Sequence, residues 1–189
     1  VHESVADEFA SRVADRVRAM KVGRGTEEGV TIGPLIDDKA VAKVGELVAD
    51  AVSRGATVLT GGQAIEGEGS FYAPTVISGV PAGSDILREE IFGPVLSIVT
   101  FSGENEAVRL ANSTEYGLVG YVFTRDLARA HRMIDAIDTG MMGINVGVVS
   151  NAAAPFGGLK QSGLGREGGA EGIHEYLSTK YTLIPDPSL

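Results

Sequence analysis

The sequence contains no cysteine. That excludes a disulfide framework, a thiolate zinc site, an iron–sulfur cluster and a cysteine nucleophile within these residues. Cations are scarce: 16 Lys and Arg stand against 25 Asp and Glu, a formal charge of −9. A phosphate backbone demands clustered cations, so no nucleic-acid partner is expected. No apolar run reaches the roughly 18 residues of a membrane span, and no signal peptide opens the chain. The expectation is a cytoplasmic protein with no membrane association. Of the 3 histidines, none stands in H-x-x-x-H spacing, and no metal site is expected; His131 and His174 fall on predicted helices, where surface or capping roles suffice. There is no G-x-S-x-G elbow and no Walker A motif, so serine hydrolases of that type and P-loop enzymes have no support.

Glycine is in excess, 26 of 189 residues, about twice the usual share. Without a collagen period, the excess serves turns, left-handed positions and close backbone approaches. A hydrophobic content of 43% and a mean hydropathy of +0.11 are too high for a disordered chain. The length suits one domain, or one domain plus an extension. The chain begins Val1-His2 rather than with Met, so it is expected to be a processed or excised piece of something longer.

Ser4 and Asp7 read as an S-x-x-D cap before a helix, with Val5, Phe9, Val13 and Val17 as its apolar stripe and Ala6, Ala10 and Ala14 beside them. A second helix starts near Asp37, turns Val41, Val44, Leu47, Val48 and Ala51 inward, and ends at Gly55. Thr57 to Thr60 reads as a strand. The second half alternates: strand Val95–Phe101, helix Glu104–Asn112, strand Leu118–Thr124, helix Leu127–Ile137, strand Met142–Val146. That pattern predicts βαβ units, a parallel sheet and an α/β fold. Val95–Phe101 is apolar almost throughout, as in a strand covered on both faces. A short helix near Gly169–Leu177 and a strand Thr179–Ile184 close the chain.

Gly163-Leu-Gly165-Arg-Glu-Gly168 matches G-x-G-x-x-G literally. It follows a loop rather than a strand, so it does not read as a dinucleotide fingerprint. Two other segments carry more. Arg88-Glu-Glu-Ile-Phe-Gly-Pro-Val95 places two carboxylates and a ring before a strand. A carboxylate can accept from both hydroxyls of a ribose, and a ring can lie against a flat heterocycle. Composition alone favours the plainer alternative, a loop with a buried Phe and solvated acids. Gly143 to Asn151 and Ala154 to Glu167 form a strand ending at a polar Asn and a long Gly-rich loop with one aromatic and a Lys/Arg pair. Such a loop at the carboxyl end of a parallel strand is where ligands bind, though an ordinary surface loop would read the same.

Together EEIFGPV (Glu89–Val95), the Asn112/Tyr116-Gly-Leu118 stretch, the strand ending at Asn145 and PFGGLKQSGLGRE (Pro155–Glu167) resemble the aldehyde dehydrogenase superfamily, in the family's order and over essentially all 189 residues. TIGPLID (Thr31–Asp37), GINVGVVSNAAAPFGG and EGIHEYLSTKY are most similar to its succinate-semialdehyde branch. The alternatives are glutarate semialdehyde, another short ω-carboxyl aldehyde, or a non-catalytic fold and assembly fragment. The resemblance implies the later portion of a parallel-sheet catalytic domain over 1–177 and an oligomerisation strand and tail over 178–189. In the family a Cys thiolate attacks the aldehyde, hydride passes to nicotinamide, and a Glu activates the water that hydrolyses the thioester. Those actors lie outside this chain, so no catalytic residue is expected here and the isolated chain is expected to be inactive. The resemblance assigns Glu90, Phe92 and Leu118 to binding NAD or NADP. It assigns Asn145, Ser150 and Phe156 to a small aldehyde substrate, with Ser150 at its far carboxylate. Neighbouring identical subunits are expected to pair through 179–184.

Overall fold

The computed structural model describes residues 1–186. The chain divides into two compact units, one of Val1–Ala107 and a second beginning at Val108.

The first unit is a three-stranded sheet with a helix on each face. Helix α1 (Glu3–Arg18) starts two residues earlier than the Ser4/Asp7 signal predicts: the cap is His2, whose ring nitrogen accepts from the Ser4 amide. Its buried line is Ala6, Ala10 and Ala14, while Val5 and Phe9 are 50% and 41% exposed. The small residues let the helix approach the sheet closely, and the larger pair on the flank stays out. Helix α2 (Asp38–Ser53) is as expected: Asp37 caps it by accepting from the Ala40 amide, and Val44, Leu47, Val48 and Ala51 are buried. Gly55 follows it at φ 112, and its amide donates to the Val52 carbonyl.

The sheet order is β1 (Thr57–Thr60), β2 (Thr75–Ser78), β3 (Val95–Ile98). β2 runs parallel to β3 but antiparallel to β1, so the sheet is mixed rather than parallel throughout. The central strand β2 escapes sequence reading because it is only four residues long and follows Pro74. Its alternation divides the core. Ile77 joins Val44, Leu47, Val48, Tyr72 and Ile86 on the α2 face, and Val76 joins Ala10 and Ile98 on the α1 face. β3 stops at Ile98; Val95 packs on the α2-face core and Ile98 is buried in the α1-face core, so the strand is covered on both faces, although Leu96 is 41% exposed.

Helix α3 spans Glu104–Ala111. The second unit holds the expected βαβ element: β5 (Val119–Val122), α4 (Leu127–Ala136) and β6 (Met141–Ile144), with β5 parallel to β6 in the register Val119↔Met141. Asp126 caps α4, which buries Ala130 and Met133, whereas Leu127 and Ile134 are exposed. A two-residue ladder, β4 (Tyr116–Gly117) against β7 (Leu159–Lys160), has no counterpart in the sequence pattern. The last helix is a 3-10 turn over Gly172–Tyr176.

The expected strand Thr179–Ile184 is not formed. A strand exists only through its ladder, and no described residue offers it one. Tyr181, Leu183 and Ile184 are 83%, 73% and 80% exposed. Residues 187–189 of the expected tail lie outside the described residues.

Candidate functional site

In the first unit, Glu90 and Phe92 sit on the loop between the 3-10 turn Asp85–Leu87 and β3. Helix α2 holds the segment from Asp85 to Gly93 at three points along its length. Near its C-terminus, Asp50 accepts from the Asp85 amide at 2.9 Å and from Arg54 Nε at 2.7 Å. These bonds, the Asp85 amide first, hold the Asp50 carboxyl below its ordinary value of 3.8. One turn from its start, Lys43 Nζ donates to the Glu90 carbonyl at 2.6 Å. Beside it, Gly93 lies so close to Val44 that a Cβ there would stand 2.6 Å from Val44 Cγ2.

The loop therefore alternates under constraint. Ile91 packs on the core, while Phe92 is turned out, 76% exposed, with a left-handed backbone at φ 50. The plainer alternative of a buried Phe fails here. A bulky residue at positive φ is an outlier, costing of order 1–3 kcal/mol, and such strain clusters at functional sites. The Glu90 carboxylate is exposed, and among the described residues it has no hydrogen-bond partner. An open carboxylate two residues from an outward ring suits a dihydroxy sugar joined to a flat heterocycle.

In the second unit the Gly-rich loop folds back as a pinned structure. Phe156 and Glu167 exchange both backbone hydrogen bonds at 2.7 Å. Arg166 Nη1 donates to the Gly158 and Gly165 carbonyls, and Ser162 Oγ accepts from the Gly117 amide at 3.0 Å. Gly140 and Gly157 touch so closely that a Cβ on Gly140 would collide with the Gly157 carbonyl oxygen. This folding forms an open pocket of about 310 Å³ whose wall includes Leu118, Phe156, Arg166, Glu167, Glu175 and Tyr176. Leu118 and Phe156, assigned separately to cofactor and substrate, thus share one wall. The G-x-G-x-x-G string forms part of that loop, with left-handed backbone at Gly163, Gly165 and Gly168, and it opens no helix.

Asn145 and Ser150 do not line this pocket. Asn145 follows β6 at φ 54, and its amide is bonded to the backbone of Thr124 rather than directed at a ligand: Oδ1 accepts from the Thr124 amide and Nδ2 donates to the Thr124 carbonyl. Ser150 is exposed. Sequence reading misses Lys43, whose partner is a backbone carbonyl that no side-chain pattern reports. It also misses Glu167 and Glu175, although Glu167 ends a string already singled out. Among the described residues, no three His, Cys, Asp or Glu side chains come together as a metal site, and no helix is long and apolar enough to cross a membrane.

These segments fall within a match to the aldehyde dehydrogenase family model over residues 1–182. The chain is 51% identical over 187 residues to a succinate-semialdehyde dehydrogenase of Paenarthrobacter nicotinovorans, covering 99% of this chain and 42% of that protein. It is 50% identical over 184 residues to a glutarate-semialdehyde dehydrogenase of Pseudomonas putida, covering 97% of this chain and 38% of that one. Among solved structures, succinate-semialdehyde dehydrogenase from Burkholderia pseudomallei superposes with a TM-score of 0.91 at 50% identity, over 93% of this chain and 36% of that chain. Betaine aldehyde dehydrogenase from Staphylococcus aureus, solved in complex with NAD+, does so with 0.89 at 38% identity, over 95% and 37%. The fold is the α/β fold of the aldehyde dehydrogenases. The chain belongs to the aldehyde dehydrogenase family, and it spans about two fifths of the length of these curated relatives.

Proposed function

We propose that this chain is part of an NAD(P)-dependent dehydrogenase of short ω-carboxyl aldehydes, oxidising succinate semialdehyde to succinate. Glutarate semialdehyde is the second reading, favoured by the near-equal identity to a glutarate-semialdehyde enzyme. The observation that carries the proposal is the pairing, on one splinted loop, of the open Glu90 carboxylate with the strained, outward ring of Phe92. That pairing fits a nicotinamide nucleotide, with Glu90 accepting from ribose hydroxyls and Phe92 lying against the ring. When bound, the nucleotide would accept the hydride. This chain's own contribution is to fix the nucleotide's pose, and positioning errors of an ångström cost rate steeply. Leu118 and Phe156 supply apolar wall, and Ser150 is the candidate donor to the remote carboxylate.

The order of the matching strings supports placing this segment in the later part of the subunit, with the Cys nucleophile and general base outside it. Thr179–Ile184 pairs with no described residue and exposes Tyr181, Leu183 and Ile184, which supports pairing with a neighbouring subunit by strand addition.

The test is Glu90→Gln in the complete subunit. Hydride transfer in single turnover should fall by at least about tenfold, with the melting temperature unchanged, because an amide is a weaker acceptor for two hydroxyls. An unchanged rate overturns the cofactor role. So does a loss of melting temperature as large as that of a core variant such as Ile77→Ala. The isolated chain should produce no NAD(P)H from succinate semialdehyde; measurable production overturns the placement of the nucleophile outside it.

A further inference from the structure

Asn145 stands where two connections leave the carboxyl ends of the parallel pair β5–β6. One leads from Val122 into α4 and the other carries residues 146–155. Its backbone amide donates to the Val122 carbonyl at 2.9 Å, so the ladder continues one rung beyond β6. Its side chain then bonds both backbone polar groups of Thr124, at 2.9 and 2.8 Å. Thr124 in turn accepts from the Asp126 amide, next to the start of α4. The left-handed backbone at φ 54 turns the chain sharply away from the strand direction, and Asn tolerates that region better than any other residue with a side chain. Beyond the turn the loop doubles back: Val149 comes so near Gly143 that a Cβ there would lie 2.9 Å from Val149 Cγ1.

We propose that Asn145 is a positioning residue rather than a substrate contact. It is a latch that joins the two connections and sets the direction of the loop carrying Ser150. Its amide spends an acceptor site and a donor on Thr124, which leaves one N–H and one lone pair of Oδ1 for anything else. The inference rests on the semialdehyde reading for what the loop serves, but the latch itself rests on geometry alone.

The test uses the complete subunit that contains this chain. Asn145→Gly keeps the left-handed turn and removes both side-chain bonds. Asn145→Asp keeps an acceptor for the Thr124 amide and loses the donor. By hydrogen exchange, the Gly variant should open Thr124 and residues 146–155 about tenfold faster or more. The Asp variant should leave the Thr124 amide protected. In kinetics, the Gly variant should raise KM for succinate semialdehyde at least about threefold more than for an uncharged aldehyde of equal length, with kcat within about twofold. Unchanged exchange in the Gly variant overturns the latch. Faster exchange with the KM ratio between the two aldehydes unchanged overturns its positioning role. A wild-type enzyme with no preference for the carboxyl aldehyde overturns the semialdehyde reading instead, and the exchange result then still decides the latch.

Discussion

Gly140→Ala should be among the most damaging single-methyl additions in the chain. A Cβ at 140 would collide with the Gly157 carbonyl oxygen and lie 2.8 Å from both the Gly157 carbonyl carbon and Gly158 Cα. All three are backbone atoms, so no rotamer change relieves the clash. Nor can the loop retreat freely: a Cβ on Gly157 would itself be 2.5 Å from the Gly165 carbonyl oxygen, so the next layer is already in contact. Overpacking typically costs 1–3 kcal/mol, and with backbone on both sides the upper end applies, about 3 kcal/mol. For a chain of this size that is a fall in melting temperature of roughly 6–12 °C. Gly147→Ala is the matched control, in the same unit, because its Cβ would meet nothing within 4 Å and its backbone is not left-handed. That variant should be neutral or gain about 0.4–1 kcal/mol from the stiffer unfolded chain. Thermal and urea unfolding of the two variants side by side decide the matter. Equal stability of the two would refute close approach as the reason for glycine at 140.

Two further outcomes follow from the first unit. The Asp50 carboxyl is held below its ordinary value, so its contribution to stability is present above pH 3.8 and is lost as pH falls below it; the urea midpoint should fall as pH drops below 3.8, and less steeply in Asp50→Asn. Equal slopes would remove Asp50 from the acid response. Tyr72 is 2% exposed, its hydroxyl has no hydrogen-bond partner among the described residues, and burial raises its pKa. Tyr72→Phe should therefore be neutral or stabilising by up to about 1 kcal/mol at neutral pH, because no bond is lost. A loss greater than that would show that the hydroxyl is paired.

What the sequence made legible was whatever repeats along it. The α2 face from Val44 to Ala51, its Asp37 cap and the β5–α4–β6 unit all have period and punctuation. What it hid was pairing. β2 has four residues and no pattern, yet it is the strand on which both cores of the first unit rest. β4 and β7 have two residues each and exist only because the Gly-rich loop returns to Gly117. Thr179–Ile184 fails in the opposite sense: its residues have strong strand propensity, but propensity without a partner makes no ladder. At the candidate site the strings were legible and the roles were not. Nothing in GINVG says that the Asn amide binds the Thr124 backbone, and nothing in EEIFGPV says that a lysine 47 residues earlier holds the Glu90 carbonyl.

Three residues other than glycine take a left-handed backbone among the described residues: Phe92, Asn145 and Lys160. All three fall inside the strings that carry the family likeness. Glycine at any of them would remove the strain without steric cost, so the turn alone does not account for the side chain present. At 145 the amide bonds made to Thr124 offset it. At 160 the ammonium reaches the Asn112 and Thr114 carbonyls at 3.3 Å, just beyond the C-terminal end of α3, where positive charge is favoured. At 92 no such compensation exists within the unit, since the ring is 76% exposed and so recovers little from burial. The strain at Phe92 is instead held by neighbours that fix the backbone on either side, Lys43 at the Glu90 carbonyl and Val44 against Gly93. A ring kept outward at that cost, beside an open carboxylate, is placed for something that covers it, and in the proposed reading that is the nicotinamide.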